Sequence, residues 1–198
     1  QDKLRFLEQA RWKQNWGGAF DNYEPLVNYS REHRLALRAM NPPKTLIRQV
    51  VKVGLDEARR GQDWAEWGMN REDIVDDQAY RAKILDQLKR CHGGGTDEDY
   101  IRMYEASMVR DEGMAKTVAD TLMTARRDPQ TRTVILSYTG GGHIQFNLPV
   151  PKRVARRLDK PVAQTTVYLT SFDPTRIGEI QDLLHDGIAD YLWLTPVS

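Results

Sequence analysis

The residues of this chain best placed to do chemistry lie at 133–144, Thr-Val-Ile-Leu-Ser-Tyr-Thr-Gly-Gly-Gly-His-Ile. A β-branched apolar run stops at Tyr138, passes through Gly140, Gly141 and Gly142, and delivers His143 ahead of a second apolar segment. Glycine lets the backbone take positive φ or approach a ligand closely, at an entropic cost to folding. The pattern predicts a buried strand with His143 at its carboxyl end, where open α/β sheets present ligand-binding groups. Two readings stand side by side: a tight turn with a structurally bonded histidine, or a site.

A second constellation falls on the helix predicted from Asp97 to Met123. Tyr100, Tyr104 and Met108 recur at i, i+4 and i+8, so one face carries two phenols and a thioether. Such a stripe is ordinary core packing in one reading. In the other, a flat apolar ligand lies on it and a tyrosinate serves as axial ligand to haem iron. A phenol with a reference pKa of about 10 must lose its proton to do this, and ferric iron with Arg102 or Arg110 nearby would drive the loss. Lys89, Arg90 and His92, at the preceding turn, would face propionates, although a basic helix end also complements the helix dipole. Arg110-Asp111-Glu112 is either a solvated face or a buried ion network.

Several chemistries are excluded. Gly140-Gly-Gly142 is followed by His-Ile and not Lys-Ser/Thr, so this is no phosphate-binding loop, and there is no His-Glu-x-x-His helix. Cys91-His92 lacks the first cysteine of a covalent haem attachment motif. Four His and one Cys, spread along the chain, argue against a closed zinc site; His33 and His185 sit among charges and read as solvated. Lys+Arg 29 against Asp+Glu 28 leaves a net charge of +1, which favours neither nucleic acid nor an anionic membrane. No run approaches the roughly 20 apolar residues of a membrane-spanning helix. The single Cys91 forms no internal disulfide.

The elements that must position these residues follow from periodicity. A weak amphipathic helix is expected over residues 3–16, ending near Gly17-Gly18, and a second one begins at Asp21 or Asn22 with Pro25 in its first turn. Residues 35–40 read as a strand stopped by Asn41-Pro42-Pro43, and Leu46, Ile47, Val50, Val51 and Leu55 mark a helix from about Lys44 to Arg60. Residues 61–70 form a loop carrying Trp64 and Trp67. A hairpin of long helices, broken at Cys91-His92-Gly93-Gly94-Gly95, is expected over 71–125 as a helical insertion, ended by Asp128-Pro129. Pro149-Val-Pro151 opens a short basic helix, and residues 165–170 and 189–195 are further strands. The order predicts an α/β domain, a parallel or mixed sheet flanked by helices with the insertion, as one domain over 1–198.

These segments together resemble the ChaN-type haem-binding uptake domain, in the superfamily that also holds Tiki-like proteases and erythromycin-esterase-like proteins. The resemblance rests on Tyr23-Glu-Pro-Leu-Val-Asn-Tyr-Ser-Arg-Glu-His-Arg-Leu35, Ala39-Met-Asn-Pro-Pro43 with Arg48 and Gly54-Leu55, and Arg110-Asp-Glu-Gly-Met-Ala115. It continues through Thr139-Gly-Gly-Gly-His-Ile144, Pro149 with Pro151-Lys-Arg-Val154, and Ala189-Asp-Tyr-Leu-Trp-Leu-Thr195. The family's first half carries a strand ending in Gly-Glu-x-His and a Glu-containing strand. Neither occurs here, so the chain is expected to be N-terminally incomplete.

The resemblance implies a haem-binding protein of bacterial haem and iron acquisition, non-enzymatic, in the cell envelope (periplasm or outer membrane). It further implies haem held noncovalently between the subunits of a homodimer, a lipid anchor outside this sequence, and His143 in the family's Gly-Gly-His motif. With the helical stripe, the expected haem-binding residues are Tyr104 as axial iron ligand, Tyr100 as its substitute, Met108, His92, Arg110 and His143. The alternative is a metal-dependent hydrolase of the same superfamily using His143 as ligand or base. A third reading is a partner-binding module in which Trp64 and Trp67 are interface residues.

Overall fold

Aromatic side chains build the first of two units. Residues 2–16, 18–127 and 133–197 are described by the computed structural model, and they divide at Ala39/Met40. Helix α1 (Lys3–Gln9) starts where the Asp2 carboxylate accepts from Leu4 N–H. Arg11, in a left-handed conformation at φ 47, turns the chain into α2 (Trp12–Asn15). One long helix was expected here; the break lets Trp12 meet Phe20 edge-on at 5.1 Å and Trp16 meet Tyr23 at 5.2 Å. Helix α3 (Glu24–Glu32) follows with Pro25 in its first turn, as its pyrrolidine allows. The expected end at Gly17 lies outside the described residues. The strand expected at 35–40 forms no ladder among the described residues, and Leu35 and Leu37 instead line an open groove of about 300 Å³ with Phe6, Phe20 and Val27.

The second unit is organised around one helix. After Pro42-Pro43, α4 (Lys44–Val53) buries Leu46, Ile47 and Val50 at the predicted spacing, and Gly54, at φ 83, turns the chain into α5 (Leu55–Ala58) and then α6 (Gln62–Glu66). Trp64 is a buried member of this cluster, next to Met69, Ala106 and Val109. Helix α7 (Gln78–Cys91) is capped by Asp77, and α8 (Asp97–Ala125) begins with a reciprocal capping box between Thr96 and Asp99. At 29 residues α8 is roughly 43 Å long. It is buried on every side from Asp111 to Ala115.

α7 and α8 form the expected hairpin, but α8 also packs against α4 and against α9 (Val150–Arg156). It is therefore the axis of the unit. The Asp128-Pro129 terminator lies outside the described residues.

Two strands pair in the sheet: β1 (Val167–Phe172) and β2 (Tyr191–Pro196), parallel and in register from Val167↔Tyr191 to Phe172↔Pro196. α10 (Ile177–His185) connects them, as a parallel pair requires a crossover. The expected buried strand at 133–138 is a correction. It pairs with no described strand, and Val134 and Leu136 are 92% and 85% exposed. A run of β-branched residues favours a strand, yet a strand exists only where a second edge accepts its hydrogen bonds. The fold is broadly α/β, dominated by helices beside a small parallel sheet. No helix among the described residues is long and apolar enough to cross a membrane.

Of Arg110-Asp111-Glu112, the two carboxylates are buried and bonded, whereas Arg110 is half-buried outside their network. Glu112, on α8, is fully buried, with Arg156 at 2.8 Å and Arg157 at 2.6 Å; Arg157 also reaches Glu72. Arg153 Nε stands 3.1 Å from Glu112 Oε1, close enough for an ion pair but not aligned as a hydrogen bond. Such a pair is worth little net, but an orphaned partner is costly. Glu112→Gln is expected to lose about 3–5 kcal/mol of unfolding free energy in urea titration, because it leaves buried guanidinium groups uncompensated.

Asp77 provides a second check. It caps α7 through Tyr80 N–H at 3.0 Å and pairs with Lys152, which first, and the backbone N–H second, hold its carboxyl below the usual carboxylate range. Its stabilisation is present above the unfolded value of about 3.9 and disappears as pH falls through the lower folded value. Asp77→Asn should flatten the acid limb of the Tm-against-pH curve in that window; an unchanged limb counts against the assignment.

Candidate functional site

The Gly-rich segment is shaped by one close approach and two strained residues. Gly141–His143 forms a single 3-10 turn, in which His143 N–H donates to Gly140 O and Ile144 N–H to Gly141 O. A Cβ at Gly141 would lie 2.4 Å from the Tyr168 ring of β1, so a larger residue has no room. Phe146 and Asn147 follow at φ 58 and φ 56, two successive non-glycine residues in the left-handed region. The strain is held from outside. Phe146 N–H donates to Ile188 O at 2.7 Å, and the Asn147 amide bridges Asp190 and Thr166, next to the starts of β2 and β1. Thr166 N–H and then Asn147 hold the Asp190 carboxyl below the usual range.

The loop delivers His143 to a carboxylate rising from the middle of α8. His143 Nδ1 lies 2.5 Å from Asp111 Oδ1, and Asp111 is almost completely buried. The other oxygen, Oδ2, accepts from the Tyr80 hydroxyl at 2.6 Å. Burial first and Asp111 second push the Tyr80 phenol well above its ordinary value, so it keeps its proton and donates it to Asp111. In the Nδ1–H tautomer this contact is a hydrogen bond donated by His143 to Asp111, and Nε2 is left free of it. The His143 side chain is 25% exposed, and its Nε2 has no hydrogen-bond partner among the described residues.

One face of α7 borders this loop. Tyr80, Lys83 and Gln87 recur at i, i+3 and i+7; Lys83 covers the Phe146 ring at 4.1 Å, and Gln87 Oε1 accepts from Gln145 Nε2 at 2.8 Å. Sequence reasoning missed Tyr80, Asp111, Lys83 and Gln87 as neighbours of His143. The helical spacing of Tyr80, Lys83 and Gln87 was the one available sign, but the same spacing describes many solvated faces.

The other expected site residues are placed elsewhere. Tyr104 is 1% exposed; its hydroxyl donates to Asp76 at 2.6 Å, its ring packs on Tyr80, and burial above all, then Asp76, raises its phenol far above the ordinary value. Met108 belongs to the same buried cluster with Ile84. Tyr100 closes the α7–α8 turn, donating to His92 O at 2.6 Å and accepting from Gly95 N–H, while His92 is the exposed cap of α7. Lys89 and Arg90 are already paired with Asp97 and Asp86. Arg110 is half-buried and makes no ion pair among the described residues. The tyrosine–methionine stripe is thus core, and His143 stands apart on Asp111.

Among the described residues no group of three His, Cys, Asp or Glu side chains is placed to hold a metal ion. What the arrangement supplies is a single nitrogen donor of fixed orientation. Gly141→Ala is expected to lower stability by about 1–3 kcal/mol, the usual effect of overpacking. Thermal unfolding of Gly141→Ala with Tyr168→Ala should recover most of that loss; no recovery would mean that the Tyr168 ring is not the obstacle.

Comparison with known proteins finds one family. The family model described as haem-binding uptake, Tiki superfamily, ChaN matches residues 1–154, a span that includes Tyr80, Asp111 and His143 and ends within α9. No curated protein and no solved structure matches the chain.

Proposed function

The chain belongs to the ChaN-type haem-binding uptake family of the Tiki superfamily, and we propose that it binds haem noncovalently as cargo, with His143 as the group offered to the iron. The observation that carries this reading is the His143–Asp111 pair. Imidazole is an ordinary axial ligand of haem iron, and a carboxylate on its far nitrogen is the usual device that orients such a ligand and raises its basicity. A half-exposed loop, tied to β1 and β2 but not buried beneath them, leaves the ring accessible to a large flat ligand.

Tyrosine ligation fits these surroundings less well. Tyr104 would have to leave the core, break its bond to Asp76 and ionise beside that carboxylate, whereas Tyr100 would have to open the α7–α8 turn. We further propose that the protein acts without turnover, in the bacterial cell envelope where haem uptake takes place, and as a homodimer. The exposed side chains of Leu169 and Trp193, register partners on β1 and β2, are the kind of apolar surface a second subunit covers.

Haemin titration followed by the Soret band tests the proposal. His143→Ala should abolish the wild-type band or move it. Asp111→Asn should weaken binding about 10–100-fold, the range seen when a ligand's outer partner is removed. Tyr104→Phe should leave the band position unchanged. No haem binding by the intact protein would overturn the proposal, and loss of the band in Tyr104→Phe alone would return the ligand to tyrosine.

A histidine oriented by a buried carboxylate is also the base-and-orienter pair of hydrolases, which favours the second reading, with His143 as general base. Hydrolysis of ester or peptide substrates by the wild type, lost in His143→Ala, would support it.

A further inference from the structure

We infer that Tyr80 is a positioning residue for His143, acting through Asp111 to keep the ring in the Nδ1–H tautomer with Nε2 free. The inference rests on the reading that His143 meets the ligand through Nε2, and its geometry stands independently of which ligand that is.

Tyr80 is held from several sides. Its backbone N–H is the one the Asp77 cap accepts, at 3.0 Å. The Arg153 guanidinium covers its ring at 4.1 Å, and Tyr104 packs against the ring with centroids 5.7 Å apart. Arg153 is itself buried against Glu112. The Tyr80 hydroxyl is therefore a donor fixed by three separate elements, the α7 cap, α8 and α9. An Asp side chain has two soft torsions, and a buried carboxylate that keeps only one partner can turn or take up a proton. With Oδ2 tied to Tyr80 at 2.6 Å, Oδ1 can face only His143.

An acceptor fixed at 2.5 Å from Nδ1 demands a hydrogen there, and the free imidazole's usual preference for Nε2–H is overridden. Tyr104 makes the informative contrast. It too is a buried phenol donating to a carboxylate at 2.6 Å, but its acceptor, Asp76, goes on to Arg81 and reaches no histidine.

Side-chain 15N–1H correlation spectra of the ligand-free protein, recorded above the ordinary imidazole pKa of about 6.5, read the tautomer directly. Wild type is expected to show His143 as a single Nδ1–H tautomer. Tyr80→Phe should give a mixture with Nε2–H, while Tyr104→Phe, which removes a hydroxyl bonded to Asp76 and not to Asp111, should leave His143 unmoved. In haemin titration Tyr80→Phe should bind about 10–100-fold more weakly than Tyr104→Phe.

A single Nδ1–H tautomer retained in Tyr80→Phe would overturn the inference. So would an Nε2–H ring in the wild type, which needs no variant to fold. If the tautomer shifts but haem affinity is the same in Tyr80→Phe and His143→Ala as in wild type, the positioning role stands and the role of His143 in haem binding fails.

Discussion

Two carboxylates in succession, Asp111 and Glu112, are buried at the centre of α8, and the second unit is assembled around the need to compensate them. Isolated buried charge is among the costliest things a fold can contain, so each carboxylate must find partners from other elements. Consecutive residues on a helix point about 100° apart, and the two demands are therefore met from different directions. Glu112 draws in the arginines of α9 and the Val75 N–H of the segment before α7. Asp111 draws in Tyr80 from α7 and His143 from the Gly-rich turn. Charge satisfaction and apolar packing along α8 thus specify the same arrangement of α7, α8 and α9.

The strained turn after His143 follows from that demand. A loop with two successive left-handed residues persists only where its surroundings hold it. Here Ile188 O, Asp190 and Thr166 hold one end, and Asp111 and Gln87 hold the other. The close seat of Gly141 on Tyr168 explains why a glycine stands at that position in the run; Gly142 has only loose contacts with Gln87 and Gln145. Seen this way, the turn reading and the site reading of the glycines are not rivals. The turn is what brings an imidazole onto a buried carboxylate while leaving part of the ring exposed.

Legibility in the sequence differed by kind of information. Helices α3, α4 and α8 were readable because turn residues and 3.6-residue apolar periodicity are local properties, as Pro25 and Leu46, Ile47 and Val50 show; α7 was expected from residue 71 but starts at Gln78, behind the Asp77 cap. β1 and β2 were readable to within two residues. The segments at 35–40 and 133–138 are as apolar as a strand requires yet have no ladder among the described residues, because pairing is a property of two segments and one segment's composition cannot supply the other. The family too was legible, since it is carried by short motifs and their order, and residues 1–154 match its model.

By itself the sequence determined which backbone conformations are cheap, where helices start, that a flexible glycine run ends on a histidine, and that the chain resembles a haem-uptake family. It could not decide which of its ionisable groups would be neighbours. Tyr80, Asp111 and His143 are separated by about thirty residues at each step, and nothing local distinguishes Asp111 from Glu112 or Tyr80 from Tyr104. Tertiary packing decided that. It sank the tyrosine and methionine stripe into the core, where its phenols serve as hydrogen-bond donors, and it left a single histidine held on one nitrogen with the other free. The reason is physical: burial and hydrogen-bond partnership, which set the chemistry of an ionisable side chain, are properties of the space around it and not of its place in the chain.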